Sequence, residues 1–593
     1  MLKKITAALI LAAFITVSAA CANTAETAAT TVTETETEIT TTVSETKSET
    51  TTTVSETKAE TTTTVSETKA ETTTTVSETE AETTTTVSET EAETTTTVSE
   101  TKAETTTTVS ETKAETTTTV SETVEETEPA ETMGVTVIVP EVKEEPKLSA
   151  EEKAAIAEKM EQQYNEQREK YLKLYERLSE ERDLPIISVI TLDKKEVLSK
   201  EEYVTSIVDI FNCDDKFAFS AEAGVKVRGN STADGSEKPY RIKFDKKQNM
   251  LGLHDGKEYK NWVLLKSQWN LAMDYMGFSL ADAILEDKYY SSDCTYVNVY
   301  INGKFKGIYL LCEQNQVADD RVDIYEPKKD EKGTDIGYLV EIDHYADEGD
   351  EPYFMVDYLG AELTDISGRT ETFVEAEYTI KSDTYSAEQR EFIARYINGT
   401  FKILYEAAEN NNPMMFDENY NVVSAKGVYK TAEEAARAVI DLESLAYLLI
   451  HDELIHDYDV GEGSFYMAVD FSETSTMKKL TFTAPWDFNW AYNENPARRF
   501  FACTFQPIIG ESDRSNPWYI TAMKADWFSK IVTEKWAELY NAGTLTDVTK
   551  EVQAGVEKLR GDLEGEEWKI DSANEIIRFV NNRIKWLNKQ WNE

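Results

Sequence analysis

Apolar and polar positions along this 593-residue chain fall into three regimes. In the first, after a short apolar leader, valine alone recurs, at Val43, Val54, Val65, Val76, Val87, Val98, Val109 and Val120. Each opens the motif VSET, and Thr, Glu, Ala and Lys fill the eleven-residue period. An eleven-residue period allows a right-handed coiled coil. One apolar residue per repeat cannot form its seam, however, and four consecutive threonines disfavour helix. The pattern predicts an extended, disordered, acidic stalk with its linker over 22–148. In the second regime, 149–183, Ala, Glu, Lys, Gln and Leu predict a solvated helix. The third begins near Pro185, where apolar alternation sets in. PIISVITL, AGVKVRG, KPYRIKF and NWVLLK read as strands, 271–287 as a helix, and GYLVEID as a further strand. TYVNVYINGKFKGIYLLCE reads as a hairpin whose Asn302-Gly303 pair calls for a type I′ turn.

Beyond residue 385 the period changes to that of helices, at 386–409, 432–450, 520–541, 546–563 and 573–591. Thr431 with Glu434 forms a capping box for the second, whose stripe is Val439, Leu442, Leu445 and Leu449. Ser572 with Glu575 opens the last, with Ile576, Val580, Ile584 and Leu587 as its buried face. A strand-rich half therefore precedes a helix-rich half, an α+β layout of two lobes with a cleft for a ligand between them.

Charge narrows the function. The formal net charge is -50, which argues against a nucleic-acid binder, since phosphates need a basic face. The leader MLKKITAALILAAFITVSAAC has a basic start, an apolar run and small residues before Cys21. That is a signal peptide over 1–21 ending in a bacterial lipobox-like cleavage site, with Cys21 lipidated. No later stretch is apolar enough to span a membrane. The expected location is extracytoplasmic, tethered by lipid. Cys213, Cys294, Cys312 and Cys503 show no zinc spacing, and sequence does not pair them.

Candidate chemistry is confined to carboxylates, a few lysines and one polar turn. There is no phosphate loop of the G-x-x-x-x-G-K-[ST] type and no G-x-S-x-G elbow. His451 and His456 stand five apart, so they read as helix-end residues rather than ligands. Gly229-Asn230-Ser231-Thr232, between two strands, can offer N–H groups and hydroxyls to an anion, with Lys243 beside it. An ordinary hairpin with a solvated lysine accounts for the same residues. In HDYDVGEGS, Asp459 precedes Ser464 by five residues, and Asp487 follows in PWDF at the end of a strand. Phosphoryl transfer needs such a pair, one acid to accept a hydroxyl proton and one to hold Mg²⁺. Asp457 and Glu462 read as solvated loop charges.

Taken in order, VKVRGNST, KPYRIKF, NWVLL, YVNVYINGKFKGIYLLCEQ, RVDIYE, GYLVEID, DYDVGEGSFYM and PWDFNWAY resemble the CotH kinase family, over about 185–495. The resemblance implies an atypical protein-kinase-like bilobal fold over 184–593, using ATP and Mg²⁺ (or Mn²⁺) and acting on Ser/Thr of a protein substrate. It makes Asp459 the catalytic-loop acid and Asp487 the metal ligand. Lys243 becomes the phosphate clamp, with Arg228, Asn230 and Ser231 in the turn over the nucleotide. Glu313 is placed where the lobes join, facing the nucleotide. Departures stand at Asn489, where the family often has a second acid, at Ser464, where protein kinases place a metal-binding Asn, and at Gly277-Phe278, where the family often has Arg-Asn. Asn489 and Ser464 can coordinate through neutral oxygens. The competing expectation is a pseudokinase serving as adhesin or scaffold, and a glycan-binding module ranks below it. The stalk serines and threonines, tethered to the domain, are candidate substrates, with O-glycosylation the rival explanation of their abundance.

Overall fold

The computed structural model describes strand segments between residues 28 and 109, residues 136–140 and, with short gaps, residues 149–592. The leader, Cys21 included, lies outside the described residues. Two compact units divide at Pro129 and Ala130.

Among the described residues of the first unit, the repeats carry eight strands, from Ala28–Val32 to Ala103–Val109, where composition predicts disorder. They form two four-stranded parallel sheets in which alternate repeats pair, Val43 on Val65 in one and Thr50 on Thr72 in the other. Two eleven-residue periods bring identical residues to the same register, and runs of β-branched threonine suit extended backbone.

The second unit is α+β. Its strands β1 Ile186–Thr191, β2 Val204–Phe211, β3 Phe219–Val227, β4 Tyr240–Gln248, β5 Tyr259–Leu265, β6 Cys294–Ile301 and β7 Lys304–Glu313 close into a barrel in the order β1-β2-β3-β4-β5-β7-β6. Closure comes from the parallel pairing of β1 with β6, Ile186 opposite Asn298. The predicted turn holds, with Asn302 at φ 52° and Gly303 at φ 77°. Alternate residues fill the interior: Val189, Val208, Val225, Ile242, Phe244, Trp262, Leu264, Val299 and Leu311. Each of the larger side chains contributes about 1.5–3 kcal/mol on leaving water. The opposite face of β5–β7, with Val263, Leu310 and Cys312, belongs to the larger core shared with the helices.

A six-stranded antiparallel sheet follows, from β8 Gly337–Ile342, β9 Tyr353–Val356, β10 Ala376–Ile380, β11 Phe465–Asp470 and β12 Thr481–Phe482 with Val137–Ile138. Its order is β12-β11-β8-β10-β9 and then Val137–Ile138.

The helix α1 Ala150–Glu181 corrects the expectation of a solvated segment. Met160, Tyr171, Tyr175 and Leu178 are buried, the first three against Ile190 and Ile207 of the barrel. The Tyr175 hydroxyl donates to Asp209 at 2.5 Å and that of Tyr164 at 2.9 Å. Aromatic residues at helical spacing, hidden among charges, carry this docking face. Further helices are α2 Ala272–Leu285, α3 Ala387–Glu409, α4 Ala432–Val439, α5 Leu442–Ile455, α6 Pro517–Met523, α7 Asp526–Ala542, α8 Thr544–Glu557 and α9 Trp568–Trp591. The segment predicted as one helix over 432–450 is two. Thr431 caps α4, and Asp441 caps α5 by accepting the Ser444 N–H at 3.2 Å. Another departure is α9, which starts before Ser572; that residue is not a cap but accepts from the Asn270 amide at 2.9 Å. Among the described residues no helix is long and apolar enough to cross a membrane.

Candidate active site

Three segments converge on a group of carboxylates: the first turn of α2, the loop after α5 and the PWDF turn. Asp487 opens the short 3-10 turn Phe488–Trp490 with left-handed backbone, φ 65° and ψ 65°, which non-glycine residues seldom adopt. Phe488 holds it there. Its buried ring packs edge-on against Phe278 at 5.0 Å and His451 at 5.3 Å. Gly277 makes the seat, since a Cβ at that position would lie 2.2 Å from the Phe488 ring. The departure at Gly277 thus has a packing cause. Gly277→Ala should push Phe488 and the turn outward, costing about 1–3 kcal/mol by overpacking. Denaturant midpoints check this; an unchanged midpoint would dismiss the seat.

Asp274, on the first turn of α2, is buried. Loss of water pushes its carboxyl up to about 7, assisted by the charge of Asp487 and opposed by Arg228 and the Phe488 N–H. Burial also raises Asp487, again against Arg228. Two carboxylates therefore face one guanidinium. The side-chain amide of Asn489 donates to Asp487. Ser464 stands at φ 54° before β11, and no such tie joins it to Asp487 among the described residues.

The acidic loop is not a set of solvated charges. Asp457 is 4 % exposed and accepts the Asp459 N–H at 3.1 Å. Its carboxyl is raised by burial first, then by the charges of Asp452, Asp459 and Asp487. Glu462 is also largely covered, its side chain 11 % exposed beside His344. The half-buried Asp459 accepts the N–H groups of Glu462 and Gly463 on its carbonyl, both at 2.7 Å, so the loop folds back as a tight turn. Tyr519 donates to Asp452 at 2.5 Å, and His451 bridges Asp452 at 2.8 Å and the Gly277 carbonyl at 2.9 Å.

His456 caps α5 at φ 51°, stacked on Phe501 at 4.4 Å with Nδ1 on the Asn493 carbonyl at 2.8 Å. Burial, then the Arg583 charge, lower its pKa to about 2. The unfolded chain binds this proton near 6.5. Stability from the neutral ring is therefore complete above 6.5 and is lost as pH falls toward 2. The slope is up to about 1.4 kcal/mol per pH unit. His456→Asn, which tolerates the backbone, should flatten that acid slope in denaturation at pH 4–7. An equally steep slope would count against the assignment.

A cavity of about 480 Å³ opens between the outer face of the barrel and the six-stranded sheet. Lys200, Lys226, Arg228, Arg241 and Lys381 line it, against the acids Glu326, Glu351 and Asp383. Five cations to three acids is an anion-attracting balance in a chain of net charge -50. Trp486 lines one wall, with Arg228 at 5.5 Å from its ring. Lys381 pairs with Glu341 at 3.1 Å and with Glu351. Asp459 and Asp487 do not line the cavity. Arg228 connects it to the acids, because its charge acts on Asp487 and Asp274.

Several expected residues stand elsewhere. Glu313 does not face the cavity. It is fully buried, accepting from Arg321 Nε at 2.8 Å and from the Asp293 N–H at 3.1 Å, with His254 Nδ1 at 3.0 Å. Lys243 is exposed and outside the lining; Arg241, two residues earlier on the same barrel face, takes that place. Asn230 lies outside the described residues, as does the side chain of Ser231. The sequence reading missed Asp274, whose signal was a lone acid in an otherwise apolar helix turn, and Arg241 and Lys381.

Residues 225–590, well over half of the chain, match the family described as CotH kinase protein, and the chain belongs to that family. No curated protein matches it. Membership points to kinase-like phosphoryl transfer, with a nucleotide and a divalent metal.

Proposed function

We propose that the chain is an extracytoplasmic, ATP- and Mg²⁺- (or Mn²⁺-) dependent protein kinase that phosphorylates Ser/Thr of surface or secreted proteins, its own repeats among them. The observation that carries this reading is the cationic cavity joined through Arg228 to Asp487 and Asp274. Lys226, Arg228 and Arg241 would bind the phosphates, and the Trp486 ring would flank the nucleotide. In the bilobal reading the barrel is the smaller lobe and the cavity runs along its junction with the rest. Lipidation at Cys21 would hold the protein outside the cell membrane.

The donor chemistry suits Mg²⁺. This ion takes one or two carboxylates and fills its remaining positions with water and substrate phosphates. Asp487 and Asp274 supply two, although among the described residues no group of three or more His, Cys, Asp or Glu is placed to hold a metal. Bound there, the ion would neutralise charge on the phosphate oxygens. Asp487 and Asp274 would orient it, and the Asn489 amide would fix Asp487. Asp459 would accept the proton of the attacking hydroxyl, beside the buried Asp457, whose carboxyl burial and the neighbouring acids push toward its protonated form.

The direct test is transfer of labelled phosphate from ATP to a general protein substrate and to the repeats, with Mg²⁺ or Mn²⁺ and with chelator. Metal-dependent transfer is expected. The second reading, a pseudokinase scaffold, draws on Ser464, which makes no tie to Asp487. Calorimetry separates the two, since a scaffold of that kind would bind no nucleotide with or without Mg²⁺.

A further inference from the structure

Barrel strands β6 and β7 set Cys294 directly opposite Cys312. One step along the ladder, the Glu313 N–H donates to the Asp293 carbonyl at 3.3 Å while the Asp293 N–H turns to the Glu313 carboxylate, so Asp293 and Glu313 stand at a hydrogen-bonded position with one of its two ladder bonds made. Pairs alternate along an antiparallel ladder, which leaves Cys294 and Cys312 at a non-hydrogen-bonded position. Opposed Cα atoms there lie about 4.5 Å apart, with side chains drawn together. Disulfides span Cα separations of roughly 4.4–6.8 Å. The two side chains also share a face: Cys312 is part of the large core and Cys294 packs against it. Both are thiols in this structure. Cys503 instead directs its thiol to Glu453 at 3.2 Å, and Cys213 packs against the barrel interior.

We propose that Cys294 and Cys312 are a redox pair that closes into a cross-strand disulfide, a latch on the barrel face that carries the first turn of α2. The oxidant is a small disulfide. Half-buried Cys294 attacks one of its sulfurs, forming a mixed disulfide and releasing one thiol. Cys312 then attacks the Cys294 sulfur and displaces the second thiol. Two thiols of the chain lose two electrons and two protons, and one disulfide becomes two thiols. The latch reaches the candidate active site through position alone. Asp274 lies close enough for its charge to act on both sulfurs. Tyr275, next on α2, packs its ring, tilted by 57°, at 4.8 Å against that of Tyr296, two residues along β6 from Cys294. Burial raises both thiols, so exchange is slow in the closed fold and needs local opening or folding under oxidant.

The test uses the full chain, reduced and then equilibrated with oxidised and reduced glutathione. One arm stays folded and a second is unfolded in denaturant and refolded in the same buffer. Both are then alkylated and mapped as peptides without reduction. The expected result, in the refolded arm at least, is a linked peptide pair carrying Cys294 and Cys312, lost on Cys294→Ser and on reduction. Alkylation of both cysteines in both arms would overturn the proposal. So would linkage of either one to another cysteine, or a glutathione adduct on Cys294 that does not close.

Discussion

Asp459→Ala is expected to lower phosphate transfer from ATP by about 10²–10⁴-fold, the range that a positioned general base contributes, with the thermal midpoint held. The fold should survive because the turn at 459 is built by backbone. The Asp459 carbonyl accepts the Glu462 and Gly463 N–H groups and its own N–H donates to Asp457, and alanine keeps all three. Removing one of several like charges around Asp457 relieves repulsion rather than adding to it. Asp487→Asn gives a different signature, because it takes away a metal-facing charge. Its residual rate should need a higher Mg²⁺ concentration, whereas that of Asp459→Ala should keep the wild-type metal dependence. Initial rates against Mg²⁺, with melting curves on the same samples, separate the roles. Wild-type transfer by Asp459→Ala would remove it from the chemistry.

Arg583→Ala is expected to destabilise the second unit by about 3–5 kcal/mol, as loss of one partner of a buried pair does. Against a total of about 5–15 kcal/mol for a domain, that is the largest stability effect expected of any single substitution considered. Arg583 and Glu453 both have 0 % side-chain exposure and form an ion pair. The guanidinium also donates to the carbonyls of Glu453 at 2.7 Å, Pro496 at 2.9 Å and Arg499 at 2.8 Å. Glu453 in turn accepts the N–H groups of Phe501 at 2.8 Å and Cys503 at 3.1 Å. Alanine would leave a buried carboxylate and three carbonyls without these partners. Because the pair ties α9 to α5 and to the segment 496–503, the acidic loop at the end of α5 should loosen with it. Urea denaturation at pH 7 checks the value, and a loss below about 1 kcal/mol, the scale of an exposed pair, would contradict it.

Much of the barrel was legible because alternating apolar residues write a strand directly. Closure was not, since the pairing of β1 with β6 joins residues about a hundred positions apart and leaves no local signal. The break at Ile440 and Asp441 was hidden by an apolar stripe that runs on through both helices. Asp459 and Asp487 could be singled out by their spacing and the surrounding motif. Asp274 could not, because its value depends on Asp487 arriving opposite it. Glu313 shows the converse error. A strand-end acid looks the same in sequence whether it faces a ligand or, as here, a buried arginine eight residues on. Arg583 was lost for a related reason: a charge in a helix reads as surface unless its partner is known.

The parallel closure of the barrel also decides how short a folding unit this chain can yield. The family match begins at residue 225, inside β3, so β1 and β2 precede it. A protein trimmed to that boundary would keep four strands of seven whole, β4 to β7, and only the last three residues of β3. The edges of β6 and of most of β4 would be left unpaired and the interior around Phe244 and Trp262 uncovered, and such edges recruit other chains. Asp209 on β2 is held in turn by Tyr164 and Tyr175. The smallest soluble piece therefore starts ahead of residue 150, with the tyrosine-bearing helix serving as the barrel's outer brace.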